Sequence, residues 1–125
     1  MKKIFQFLVV ITLSLMTFSC YYDEFPDESN LPIPADVSYQ GDIQPLFNQN
    51  CISCHGGNIA PDLRSGSSRA ALISGNFVIP SDAANSILYK ALKGEGAPLM
   101  PPSGAISTAK INLVKSWIDD GALNN

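Results

Sequence analysis

Residues 48–57, NQNCISCHGG, place Cys51, Cys54 and His55 within five positions of one another. Two thiols and an imidazole at this spacing suit a metal centre, a redox pair or a covalent cofactor attachment. Which of these applies depends on what else the chain can supply as a ligand. His55 is the only histidine in the 125-residue sequence, and Cys20 is the only other cysteine.

Zinc fits poorly, because a closed structural site takes four Cys or His ligands and three neighbours from one turn cannot surround the ion. A thioredoxin-like role needs a strand and crossover-helix setting, and the flanking pattern is helical instead. A disulfide between Cys51 and Cys54 would close too small a loop to constrain much of the chain. Haem c uses all three groups. Two thiols separated by two residues can add to the two vinyl groups of a porphyrin, and the histidine that follows then lies under the iron. Gly56 and Gly57 let the backbone leave the macrocycle without a side-chain clash. A ligand for the opposite face is offered by residues 96–104, GAPLMPPSG, where Met100 stands among Pro98, Pro101 and Pro102. Prolines stiffen a loop that must present a thioether to a fixed point.

The N-terminus indicates where such chemistry would be assembled. Lys2 and Lys3 precede an apolar run, IFQFLVVITLSL, and then MTFSC, the order of a secretory signal. The run is short for a membrane span, and Gln6 interrupts it. Cys20, with Ser19 before it, resembles the lipidated cysteine that ends a bacterial lipoprotein signal. The expected organisation is therefore a signal peptide over 1–19, a lipidated Cys20 with an acidic tether over 20–37, and one domain over 38–125. The tether, YYDEFPDESNLPIPAD after Cys20, carries three prolines and five acids with neither helical nor strand period. From residue 37 onward six acids face six bases, and no basic run occurs there, so a nucleic-acid partner is not expected. The membrane, through the lipid on Cys20, and a redox protein whose identity the sequence does not reveal are the expected partners.

Periodicity over the domain is helical. Asp42 is a plausible N-cap for a first helix with Ile43, Leu46, Phe47 and Cys51 on one face. SSRAALIS reads as a short helix stopped by Gly75, and SDAANSILYKALKG as one opening near Ser81 or Asp82 and stopped by Gly94. The last, STAKINLVKSWIDDGAL, has Ser107 as cap, a face of Ile111, Val114, Trp117 and Ile118, and Gly121 as stop. Only FVIP suggests a strand. An all-α fold of about four helices follows. So small a domain has little core of its own, and a covalently held cofactor would serve as a staple.

Four stretches, PLFNQNCISCHGG, PDLRSGSSRAAL, VIPSDAANSILYKAL and LMPPSGAISTAKINLVKSWIDDGA, together resemble the class I cytochrome c domain. The likeness is narrowest to the small exported cytochrome domains of planctomycetes and Bacteroidetes. It runs from about Tyr39 to Ala122, and its second and fourth stretches are the most specific. The resemblance implies helices enclosing one haem, with first and last helices crossing near its edge and Trp117 close to that crossing. It matches Cys51 and Cys54 to the thioether cysteines, His55 to the proximal ligand and Met100 to the distal one. The family's proline, whose carbonyl orients the imidazole, has Pro61 as its nearest candidate here. With both axial positions filled, the expected role is single-electron transfer rather than catalysis, by an exported protein anchored at a periplasmic or cell-surface membrane. A haem-based sensor and a structural haem module of a larger surface assembly are the alternatives.

Overall fold

The computed structural model describes Lys3, Pro32 and residues 35–125. Apart from Lys3, the expected signal peptide lies outside the described residues, as do Cys20 and nearly all of the expected tether.

The first helical segment begins at Ser38, whose extended backbone is followed by a π-helical turn, Tyr39–Ile43. Ser38 Oγ accepts from the Gly41 N–H at 3.1 Å, and the Ser38 N–H donates to Asp42 Oδ2 at 2.8 Å. Each side chain thus satisfies an amide that the helix start leaves open. Ser38, not Asp42, is the cap, and Asp42 is the residue that reaches back. The turn runs directly into α1 (Gln44–Asn50), whose Pro45 sits in the first turn, where a missing N–H is tolerated. Tyr39, Ile43, Leu46 and Phe47 are buried, as the helical spacing requires.

Helix α2 (Ser68–Ser74) and its end at Gly75 match expectation. Helix α3 spans Ile87–Lys93 and stops at Gly94, which adopts the left-handed conformation with φ 68°. Its start lies five residues beyond the expected one. Asp82 accepts from the Asn85 N–H at 3.1 Å and from Asn85 Nδ2 at 2.8 Å. Ser86 Oγ donates to the Asp82 carbonyl at 2.8 Å and accepts from the Ile79 N–H at 2.8 Å. These short polar side chains bind the backbone as a turn, so the helix waits until Ile87. Residues 77–80 are bend and irregular backbone ending in a turn, with the Phe77 and Val78 amides bound to the Leu72 carbonyl, and no strand occurs among the described residues.

Helix α4 (Thr108–Asp119) buries Val114, Trp117 and Ile118, with Ile111 packed at the margin. Ser107 holds the N-cap position, yet its Oγ is buried without a hydrogen-bond partner. Trp117 is the largest fully buried side chain, its ring 5.1 Å from that of Tyr39 and tilted by 32°. The indole N–H donates to the Leu123 carbonyl at 2.8 Å. The last helix therefore packs on the first helical segment through an aromatic pair. Asn125 closes the same end: its carbonyl accepts from the Gln40 N–H and its Oδ1 from the Tyr39 N–H, each at 2.9 Å.

Candidate functional site

Helix α1 delivers the cysteine motif. The Cys51 N–H donates to the Phe47 carbonyl at 2.9 Å, and Phe47 is fully buried, so the start of the motif is tied to the core. The Cys54 and His55 amides then both return to the Cys51 carbonyl, at 3.2 and 2.9 Å. All three side chains therefore leave one turn. Neither cysteine forms a disulfide; Cys51 is half-buried and Cys54 exposed. Burial pushes the Cys51 thiol up to about 11, so it is protonated at neutral pH. That is the opposite of the acidic, thiolate-forming cysteine of a disulfide oxidoreductase.

The imidazole of His55 is fixed by carbonyls. Nδ1 lies 3.2 Å from the Pro61 carbonyl oxygen and 3.3 Å from that of Ile59. Carbonyl oxygens only accept, so Nδ1 is the donor, and in the neutral ring this tautomer makes Nε2 the nitrogen with the lone pair. Pro61 does reach His55. Two residues on, the Leu63 N–H donates to the His55 carbonyl at 2.8 Å, so residues 61–63 hold both the ring and the backbone of the histidine.

The outer side of this loop is tied by an ion pair. Asp62 Oδ2 meets Arg64 Nη2 at 2.7 Å and Asp62 Oδ1 meets Nε at 3.0 Å. The guanidinium holds the Asp62 carboxyl down to about 2. Gly57, with φ 103°, lies under that guanidinium, and a Cβ there would stand 2.7 Å from Arg64 Nη2. The glycine is thus required by its backbone conformation, whereas the exposed end of the Arg64 side chain can shift.

Met100 occupies a separate loop. Its N–H donates to the Ala91 carbonyl of α3 at 2.8 Å, and the residue is 36% exposed. It is therefore not a filler of the core. Leu99 beside it is also exposed, as is Ile59 in the histidine loop. The structure thus groups Cys51, Cys54 and His55 on one turn and anchors Met100 to α3, while Cys20 lies outside the described residues. Sequence reasoning did not single out Gln44 or Leu63, which stand behind the histidine. Their only signal is a polar residue between the apolar Ile43 and Leu46 on a helix.

Residues 51–104 match the family model described as Planctomycete cytochrome C. These residues form a planctomycete-type cytochrome c domain. The match begins at Cys51 and ends at Gly104, so the first helical segment and α4 lie outside the matched residues. No curated protein and no solved structure matches the chain.

A cytochrome domain of this family implies covalently bound haem c with its iron, and the residues present fit such a group. Two unpaired thiols at the required spacing share a turn with an imidazole whose tautomer leaves Nε2 free for a metal. The all-helical fold agrees with the small cytochrome type. No helix among the described residues is long and apolar enough to cross a membrane.

Proposed function

We propose that the protein is an exported, lipid-anchored mono-haem c-type cytochrome that carries single electrons. In this reading Cys51 and Cys54 form the two thioethers, His55 is the proximal axial ligand through Nε2, Met100 is the distal ligand, and Cys20 carries the lipid. The observation that supports it most directly is the His55 imidazole, held at Nδ1 by Pro61 on the same turn as two unpaired thiols. Metal-binding histidines characteristically donate their other ring N–H to a carbonyl or carboxylate, which sets both tautomer and orientation.

When bound, haem supplies an iron that cycles between ferric and ferrous states. The residues of the chain set the conditions. The Pro61 and Ile59 carbonyls, which can only accept, orient the His55 ring through Nδ1. Ligation by Met100 and His55 would leave no axial position for a substrate, which favours electron transfer over catalysis. Cys51, half-buried at the end of α1, would tie the macrocycle to the same helix that carries Phe47 into the core.

Expression with a c-type maturation system tests the reading. The expected product has one covalently added haem by mass, and a reduced spectrum of the c type that is lost in His55→Ala. A mature polypeptide without the added mass would refute it. A reduced protein that binds carbon monoxide without prior denaturation would move the function to a sensor. Labelling with a radioactive fatty acid, absent in Cys20→Ser, tests the anchor separately.

A further inference from the structure

Behind the histidine loop runs a buried chain of hydrogen bonds that electron transfer as described does not use. Ser68 Oγ donates to Gln44 Oε1, and the Tyr39 hydroxyl lies 2.5 Å from Ser68 Oγ. A hydroxyl has one proton, and with that of Ser68 committed to Gln44 the Tyr39 hydroxyl donates to Ser68, with Gln44 Oε1 as a second, longer acceptor at 3.3 Å. The carboxamide nitrogen of Gln44 then donates to the Leu63 carbonyl at 3.1 Å and to Asn48 Oδ1 at 2.9 Å. Tyr39, Gln44 and Ser68 are each buried, at 2%, 4% and 1% exposure. Both Nε2 protons of Gln44 are used, and its oxygen accepts from the Ser68 hydroxyl. Leu63, the residue it grips, is itself buried and donates its N–H to the His55 carbonyl at 2.8 Å. Pro61, two residues earlier, accepts the His55 Nδ1 proton.

We infer that Gln44 is a positioning residue for His55: by holding the Leu63 carbonyl, it keeps residues 61–63 where Pro61 accepts from Nδ1. This rests on the reading of His55 as axial ligand. The physical link is the basicity of the imidazole, which rises as its outer N–H donates more strongly. A more basic ligand favours ferric iron. Loosening residues 61–63 therefore weakens the Nδ1 hydrogen bond, favours ferrous iron and raises the reduction potential. A buried amide costs stability unless its bonds are made, and an apolar residue of similar length would fill the site without that requirement.

The test uses the haem-loaded protein and three sequences: wild type, Gln44→Met and Tyr39→Phe. Gln44→Met keeps the length of the side chain and removes its hydrogen bonds, that to Leu63 among them. It is expected to shift the ferric to ferrous ratio at fixed poise about threefold toward ferrous, roughly 28 mV for one electron, and to speed exchange of the His55 Nδ1 proton about tenfold by NMR. Tyr39→Phe removes a hydroxyl that bonds Ser68 and reaches Gln44 Oε1 only at 3.3 Å, and it leaves the Gln44 amide N–H groups on Leu63 and Asn48, so it is expected to lower stability with less than half that shift in potential. A purely structural role predicts stability loss in both variants without a difference in potential. An unchanged potential in Gln44→Met, or an equal shift in Tyr39→Phe, would overturn the inference. Should Gln44→Met not accumulate as folded protein, exchange in the wild type decides. The Leu63 amide and the His55 Nδ1 proton are expected to open together, and rates of opening that differ more than about tenfold would refute the link. A wild type without a c-type spectrum would instead refute the haem reading, so the two failures are distinguishable.

Discussion

Replacing Trp117 by Phe probes the packing of the last helix on the first helical segment. The indole is 1% exposed, faces Tyr39 at 5.1 Å and donates to the Leu123 carbonyl at 2.8 Å. Phe keeps an aromatic ring against Tyr39, so the pair itself is largely retained. Three buried heavy atoms are lost, and at about 0.8 kcal/mol for each methylene-sized group this costs roughly 2.4 kcal/mol. The missing hydrogen bond adds about 1 kcal/mol. The expected loss is therefore about 3 kcal/mol, or a fall in Tm of roughly 12–24 °C for a domain of this size. Urea titration of the two haem-loaded proteins, followed by far-UV circular dichroism, measures it. Leu123→Ala, at a side chain 53% exposed, serves as the control and is expected to change stability by less than about 0.5 kcal/mol. A loss below about 1 kcal/mol in Trp117→Phe would show that the aromatic junction does not hold the helices together.

Gly57→Ala forces a Cβ onto a residue with φ 103° and against the Arg64 guanidinium, so a loss of about 1–3 kcal/mol by denaturant titration is expected. A neutral result would show that the backbone at residue 57 relaxes into a conformation that other residues adopt. Asp119 accepts from Lys115 at 2.6 Å and from the Ala83 N–H at 3.0 Å, and the Lys115 bond leads the forces that depress its pKa. Its contribution is therefore present above the ordinary aspartate pKa of about 3.9 and is lost as pH falls through the lower folded value. Asp119→Asn should accordingly flatten the acid limb of the urea midpoint against pH, and a limb as steep as that of the wild type would refute the assignment. Met100→Ala removes a side chain that the core does not use, so less than about 1 kcal/mol of packing is at stake. The ferric charge-transfer band of sulfur ligation should nonetheless disappear, and its survival would remove Met100 from the iron.

What could be read from the chain alone was whatever depends on near neighbours. The spacing of Cys51, Cys54 and His55 lies within one turn, and the stops at Gly94 and Gly121 act through left-handed backbone conformation. The apolar period of α4 is local in the same sense, and it places Val114, Trp117 and Ile118 in the core. Where two local signals competed, the chain alone did not decide. Ser81, Asp82 and Ser86 are all acceptable caps, and the choice of Ser86 followed from side chains that bind the turn before it and from Asp119 reaching across to Ala83. Ser38 displaced Asp42 for a related reason, since each needed the other's amide or side chain to close the start of the helix.

The support of His55 belongs entirely to tertiary structure. Pro61 is six residues from the histidine, and no spacing rule says whether its carbonyl can turn back far enough to meet Nδ1. That depends on Leu63 being buried and doubly bonded, which depends on Gln44, and Gln44 in turn on Ser68 and Tyr39 from elsewhere in the chain. The cofactor type was thus legible in five consecutive residues, because thioether chemistry is a matter of covalent spacing. The orientation of its imidazole was not, because hydrogen bonds between distant segments exist only after the core has formed and brought them within 3 Å or so of one another.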